Sequence, residues 1–329
     1  MTLNTSTILL SASVLAIIEL IIVIVSKKLR LGPDITERSS HTKFTPTGGG
    51  IVWVIAGIWA VYTFGNTSQP VTWYFIIGIL VLAIVSYIDD LHPLPPVPRL
   101  ICQTIVMALT FKQLWYPEAF DIFLIVLFCG VGLINSINFL DGIRGMLALY
   151  GIVVTGSILF TIISIGNPQM DWMIPVLVMV LTAQLVFTVF NLGDVIFAGD
   201  VGSITLGYIQ AVIAINIMLA TRDGSYMIYF IVCLTDTGLT TVNRLFHGES
   251  ILRPHNVNIY QLLTGRLHYP HLVVSGIYAL LQLVIDIIFL AVPVSMHWTC
   301  MLVTTAVMTV TYFIARSRIE KKINARSNQ

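Results

Sequence analysis

The sequence predicts an all-α polytopic membrane protein, and three observations carry that prediction. Hydrophobic residues make up 57% of the 329 positions and charged residues only 10%, where a soluble domain carries about a quarter. Mean hydropathy is +0.90. The apolar residues also gather into runs suited to a hydrocarbon core roughly 30 Å thick, which needs about 20 residues of helix.

The first run, 7–26, has no basic segment before it and no small-residue cleavage site after it, so it reads as a membrane helix and not as a signal peptide. Further runs at 51–65, 71–88, 99–114, 121–137, 147–165, 172–190, 201–220, 226–243, 271–292 and 297–315 bring the expected number to eleven. Ten is the alternative, since the second and fourth are short. Turn signals at Gly166-Asn167-Pro168 and Arg222-Asp223-Gly224-Ser225 separate neighbouring runs. With no repeat and no soluble stretch, residues 1–329 are expected to form a single integral-membrane domain. Four cysteines scattered through apolar runs read as small hydrophobes. A net charge of +1 argues against nucleic acid as a partner.

Lys and Arg set the expected orientation. With the N-terminus outside and the C-terminus in the cytoplasm, every Lys and Arg except Lys112 and Arg222 falls at a cytoplasmic edge. The cytoplasmic loops are then 27–50, 89–98, 138–146, 191–200 and 244–270. The acids and amides follow the same partition, although no rule requires it of them, and this points to a site open to the cytosol.

Each loop carries its own signal. In "ERSSHTKFTPTGGGI", 37–51, three glycines permit tight turns and close approach to an anion; taken alone, the loop is better read as a positive-inside anchor with a glycine turn. In "SYIDDLHPLPPVPRLICQ", 86–103, Asp89 and Asp90 sit together at a helix C-terminus, a costly place for two carboxylates. A divalent metal or a metal-bound diphosphate would remove the cost. In "NSINFLDGIRGM", 135–146, Asn135, Asn138 and Asp141 are spaced along one helical stripe. They suit magnesium or a sugar diphosphate, and equally a cap and turn. Asp200, in "FNLGDVIFAGDVGSITLGY", precedes an apolar helix and reads either as its N-cap or as a site residue. The longest loop holds Arg244, His247, His255, Arg266 and His268 with several amides, but no HxxxH or HExxH pair, so zinc is not expected.

In order, "SSHTKFTPTGGG", "DDLHPLPPVPRLICQ", "NSINFLDGIRG", "FNLGDVIFAGDVGSITLG" and the Arg- and His-bearing last loop resemble the polyprenyl-phosphate N-acetylhexosamine-1-phosphate transferases. This is glycosyltransferase family 4, which includes phospho-N-acetylmuramoyl-pentapeptide transferase and O-antigen-initiating enzymes. The resemblance covers roughly residues 35–271. It implies transfer of a sugar phosphate from a UDP-N-acetylhexosamine to undecaprenyl phosphate, with release of UMP, in a bacterial inner membrane. It implies magnesium, with manganese as an alternative ion, and is compatible with a homodimer. Carried over by position, Asp200 and Asp89 would be metal ligands, and Asp89, Asp90, Asp141 and Asp200 the acidic machinery. Asn138, Arg144, Arg244, His255, Asn258, Gln261 and His41 would contact substrate. Two departures fall in the proposed donor region. Many members read D-G-x-D-G where this chain has Asp141-Gly-Ile-Arg144-Gly, and many have a histidine where this chain has Asn258.

A lipid flippase or secondary transporter is the alternative class. Transporters place ionisable residues near the midplane, and here only Glu19 and Asp286 fall well inside spans. A shared cavity for both would favour transport. The CDP-alcohol phosphotransferase pattern fails, because the next aspartate after Asp141 is Asp171, on an outer loop.

Overall fold

The structure is a computed structural model that describes residues 4–32, 44–64, 70–115, 117–250 and 256–327. His41 and His255, both expected to touch substrate, lie outside the described residues. The helices are α1 (Thr5–Leu29), α2 (Ile51–Phe64), α3 (Pro70–Leu91), α4 (Pro96–Thr110), α5 (Phe120–Leu140), α6 (Met146–Ile165), α7 (Met173–Leu192), α8 (Gly199–Thr221), α9 (Ile231–Phe246), the single turn α10 (Ile259–Gln261), α11 (His271–Ala291) and α12 (His297–Ser327). Among the described residues nine helical segments are long and apolar enough to cross a membrane, and α2 and α4 are shorter apolar helices. The eleven expected runs are therefore eleven apolar helices, and the two short ones are those the sequence marks as short.

The ends follow local chemistry. Asn4 caps α1 by accepting from the Thr7 N–H at 2.9 Å. Pro96 opens α4, where a missing N–H costs nothing. The two sequence turn signals lie where helices stop, at left-handed Gly166 and Arg222.

At the centre is α8, buried at every position from Val201 to Ile215, as expected of a helix apolar all round. It packs against α5 and α3 on one side and α2 and α6 on another. Between α2 and α8 the approach is limited by backbone: a Cβ on Gly50 would overlap Gly202 Cα. The Trp53 indole closes the crossing by donating to Gly202 O at 3.1 Å. Polar contacts join other helices where no water competes. Thr110 meets Tyr208 at 2.7 Å, and Gln210 donates to Gly151 O at 3.1 Å and to Thr155 at 2.9 Å.

The two acids expected well inside spans, Glu19 and Asp286, have different surroundings, and α9 carries a third, Asp236. Asp286 accepts from Ser157 and Gln282, each at 2.6 Å, and Gln282 in turn accepts from Tyr150 at 2.9 Å. This knot joins α6 to α11. Glu19 is fully buried against Gly49 and Phe187, and neither carboxyl oxygen has a hydrogen-bond partner among the described residues. The two acids therefore sit in separate packing environments.

Candidate active site

The end of α3 meets the start of α8. Asp90 accepts from the backbone N–H groups of Asp200 at 2.9 Å and Val201 at 3.1 Å. These are orphan donors of the first turn of α8, and the positive end of the helix favours a carboxylate there. Asp200 is thus not the cap of its own helix; Asp90, 110 residues away in sequence, caps it. Gly199, at φ +76°, makes the approach feasible, since a Cβ there would meet both Thr47 and Asp90. The glycine run at 48–50 serves the same junction. Gly49 N–H donates to Phe197 O at 2.9 Å and Gly50 N–H to Ala198 O at 3.1 Å. The close approach expected of this run is made to the start of α8.

Asp89 faces the other way. Its Oδ1 accepts from the Leu94 N–H at 2.6 Å, and its Oδ2 is ion-paired with Arg99. The same Arg99 nitrogen reaches Asp200 Oδ2 at 3.1 Å, so one guanidinium from α4 links carboxylates on α3 and α8. The placement of two acids at a helix end is thereby met within the protein, by a helix N-terminus for Asp90 and an arginine for Asp89. Sequence reasoning did not single out Arg99. Its signal was a lone cation ten residues after the acidic pair, beyond a run of prolines that stiffens the turn.

Asn138 on α5 completes the cluster by donating to Asp200 Oδ1 and to Ser203 Oγ, both at 2.9 Å. Asp141 follows at the C-cap of α5. Burial, then the nearby charges of Asp200 and Asp90, push its carboxyl up to about 8. The expected stripe breaks at Asn135, which turns to α4 and donates to Gln103 at 2.6 Å. Asp89, Asp90, Asn138, Asp141 and Asp200 thus gather in one place, from three helices and a helix-ending turn.

The remaining expected residues stand apart from this cluster. Arg144 is ion-paired with Asp194, and its backbone carbonyl accepts from Ser275 at 2.8 Å. Arg244 is buried and donates to Glu249 at 2.8 Å and Ser250 O at 2.9 Å. Gln261 accepts from the Asn258 N–H at 3.1 Å, closing the α10 turn on itself. That turn is anchored by a residue sequence reasoning missed. Asp236 on α9 accepts from the Ile259 N–H at 2.8 Å and the Tyr278 hydroxyl at 2.7 Å. Its only signal was one acid in a Thr-Asp-Thr-Gly stretch of an otherwise apolar run. The turn reaches the acidic cluster through Tyr260, whose hydroxyl donates to Phe139 O at 2.5 Å.

Could these residues hold a magnesium ion? Among the described residues no three His, Cys, Asp or Glu side chains are grouped to chelate a metal unaided. Magnesium does not require such a cage, because one or two carboxylates with phosphate and water suffice. A site in which burial and neighbouring acids raise a carboxyl fits a divalent cation on charge.

A family model described as glycosyl transferase family 4 matches residues 72–218. The phospho-N-acetylmuramoyl-pentapeptide-transferase of Enterococcus hirae is 29% identical over 202 residues, covering 53% of this chain and 61% of that protein. The Streptococcus sanguinis protein of the same name is 29% identical over 199 residues, covering 53% and 60%. That of Francisella tularensis subsp. holarctica is 24% identical over 288 residues, covering 73% and 74%. The matched part of the chain thus spans about three fifths of the length of the first two relatives. The matched family segment contains Asp89, Asp90, Arg99, Asn138, Asp141 and Asp200.

Proposed function

We propose, for a chain whose residues 72–218 match the glycosyl transferase family 4 model, the transfer of an N-acetylhexosamine-1-phosphate from a UDP-sugar to undecaprenyl phosphate. UMP leaves, and the polyprenyl-diphospho-sugar product begins a cell-surface glycan such as O-antigen. The observation that carries this reading is the gathering of Asp89, Asp90, Asn138, Asp141 and Asp200 at the ends of apolar helices, with Arg99 bridging Asp89 and Asp200. Phosphoryl transfer demands positioning and charge neutralisation more than covalent help from the protein.

The acceptor phosphate oxygen forms a bond to the β-phosphorus of the donor as the bond to UMP breaks. With a second pKa of about 6, a phosphate monoester is largely dianionic at neutral pH, so proton removal by an aspartate is not required. Arg99 is the cation available to a phosphate beside Asp89, and a guanidinium suits that partner. Pro98, its neighbour, lines an apolar groove of about 460 Å³ between α3 and α4. A lipid tail can lie there with its head group at the charged cluster.

Magnesium, when bound, neutralises diphosphate charge. Asp200 and Asp141 would hold it: the oxygens of Asp90 are fixed by backbone N–H groups at the start of α8, whereas those of Asp200 are held by the exchangeable side chains of Arg99 and Asn138. Asp89 would join them only by releasing Arg99. Asn138 orients Asp200 from the opposite oxygen. The polar cluster opens to the cytoplasm of a bacterial inner membrane in this reading, which the distribution of Lys and Arg supports. A transporter reading gains nothing from Glu19 and Asp286, which do not share surroundings.

The test is purified protein in detergent with undecaprenyl phosphate, magnesium and a panel of UDP-sugars, with UMP release measured. Release with an N-acetylated donor is expected. None with any donor, from protein shown to be folded, overturns the reading.

A further inference from the structure

The last helix is longer than a membrane crossing demands. At 31 residues, α12 extends about 46 Å, against a hydrocarbon core of roughly 30 Å. Its final turns carry Arg316, Arg318, Lys321, Lys322 and Arg326, and they grip a second element. Arg316 donates to Val257 O at 3.3 Å, and is itself held by Tyr312 and Glu320, each at 2.9 Å. Ten residues on, Arg326 donates to Leu267 O at 3.3 Å, and Lys322 to the Tyr269 hydroxyl at 3.3 Å. Between these polar contacts, Ile319 and Ile323 pack on Leu262 and Leu267 in a small apolar cluster separate from the main core. The tail therefore holds the segment around α10 from both sides, at Val257 before it and at Leu267 after it.

That segment in turn holds the acidic site. Tyr260 donates to Phe139 O at 2.5 Å and packs against Gly142, where a Cβ would collide with its hydroxyl. Phe139 and Gly142 flank Asp141 on either side. A mechanical path thus runs from Arg316 through the α10 turn and Tyr260 to the Asp141 turn. No equivalent contact joins the tail to Arg99 on α4, among the bonds of the described residues.

We infer that the cytosolic end of α12 is a positioning element for the sugar-nucleotide half of the site, with Arg316 and Ile319 as its positioning residues. The inference rests on the transferase reading, whose family resemblance places Asn258 and Gln261 of the held turn in the donor region. It has a consequence that a mere stabilising brace would lack: loosening the tail weakens the donor's hold and leaves the acceptor's unchanged. Arginine is required because its fork serves Val257 O, Tyr312 and Glu320 at once, which a lysine ammonium on a flexible stem does less well.

The experiment compares the full chain with Arg316→Ala, Arg316→Lys and Ile319→Ala, using UDP-N-acetylglucosamine, or whichever donor the parent protein turns over, and undecaprenyl phosphate. Arg316→Ala is expected to raise the donor KM roughly tenfold, the size of one lost hydrogen bond to a charged group. The acceptor KM and kcat should stay within about twofold, with Arg316→Lys intermediate. Hydrogen exchange at the amides of 259–267 and 139–142 should quicken in Arg316→Ala. A lower folded fraction with both KM values unchanged, or a rise in acceptor KM alone, overturns the inference. Should the folded parent protein turn over no donor, the transferase reading falls, and the donor assignment with it. Exchange then still tests the mechanical path, and unchanged exchange at both segments overturns that too.

Discussion

Two clusters of polar side chains use the same chemistry to opposite ends. In the knot between α6 and α11, Asp286 is 1% exposed and both its oxygens accept from neutral donors, Ser157 and Gln282. At the junction of α3, α5 and α8, the Asp200 side chain is 33% exposed and is held by an arginine and an amide. The first cluster is complete within the protein, its carboxylate buried and both oxygens satisfied. The second gathers acids at an accessible helix end, where exchanging one cation for another is feasible. An aspartate in an apolar chain is therefore read by what satisfies its oxygens, and not by the fact of its burial.

The largest effect that would test this contrast is at Asp200. Asp200→Asn keeps the shape and removes the charge, and UMP release should fall by about three orders of magnitude, with thermal unfolding in detergent little changed. Activity retained at a tenth or more would place the chemistry elsewhere. Arg99→Ala comes next. It leaves Asp89 and Asp200 without their shared cation, and should cost about a hundredfold in kcat/KM, chiefly through the acceptor. If instead the variant becomes more active at high magnesium, the ion pair is a brake on the site.

Asp286→Ala should reverse the pattern. The loss is about 1–2 kcal/mol of stability, the upper range for a polar contact between membrane helices, while turnover per folded molecule is kept. A fall in turnover with unaltered unfolding would dissolve the distinction between the clusters. Arg144→Ala should have the smallest effect. Its pair with Asp194, whose side chain is 53% exposed, belongs to the class of surface bridges worth up to about 1 kcal/mol. Donor choice is the sensitive readout here, because the resemblance places Arg144 in the donor region. Identical KM values for every donor would make Arg144 a fastener between the α5–α6 and α7–α8 turns and nothing more.

Much of the fold was legible because it is written locally. The length of each apolar run marks a helix, and Gly166 and Arg222 mark helix ends. The members of the acidic cluster were legible too, since charged and amide residues stand out against lipid-facing sequence. Their division of labour was not. Asp89 and Asp90 are adjacent, yet one binds an arginine and the other a helix start. That difference depends on which way each side chain leaves α3, and on α8 arriving at one of them. Arg99, Asp236 and Tyr260 were missed for the same reason: their partners lie 10 to 121 residues away. Arg244 and Gln261 look like ligand-contacting residues in sequence, but in the structure their side chains are engaged by their own loops.

The bond from Asp90 to the first turn of α8 also orders events during synthesis. When α3 is complete, its two terminal carboxylates have no helix start to bind, because α8 lies 110 residues later in the chain. Arg99 is only ten residues away from Asp89 and can reach it early. The ion pair on α3–α4 is thus available as a temporary holding contact while α5 to α8 are made. Asp200 acquires its position beside Asp90 only when α8 docks, so the acidic cluster is among the last contacts to close. A half-built chain in the membrane carries Asp89 and Asp90 but not the site.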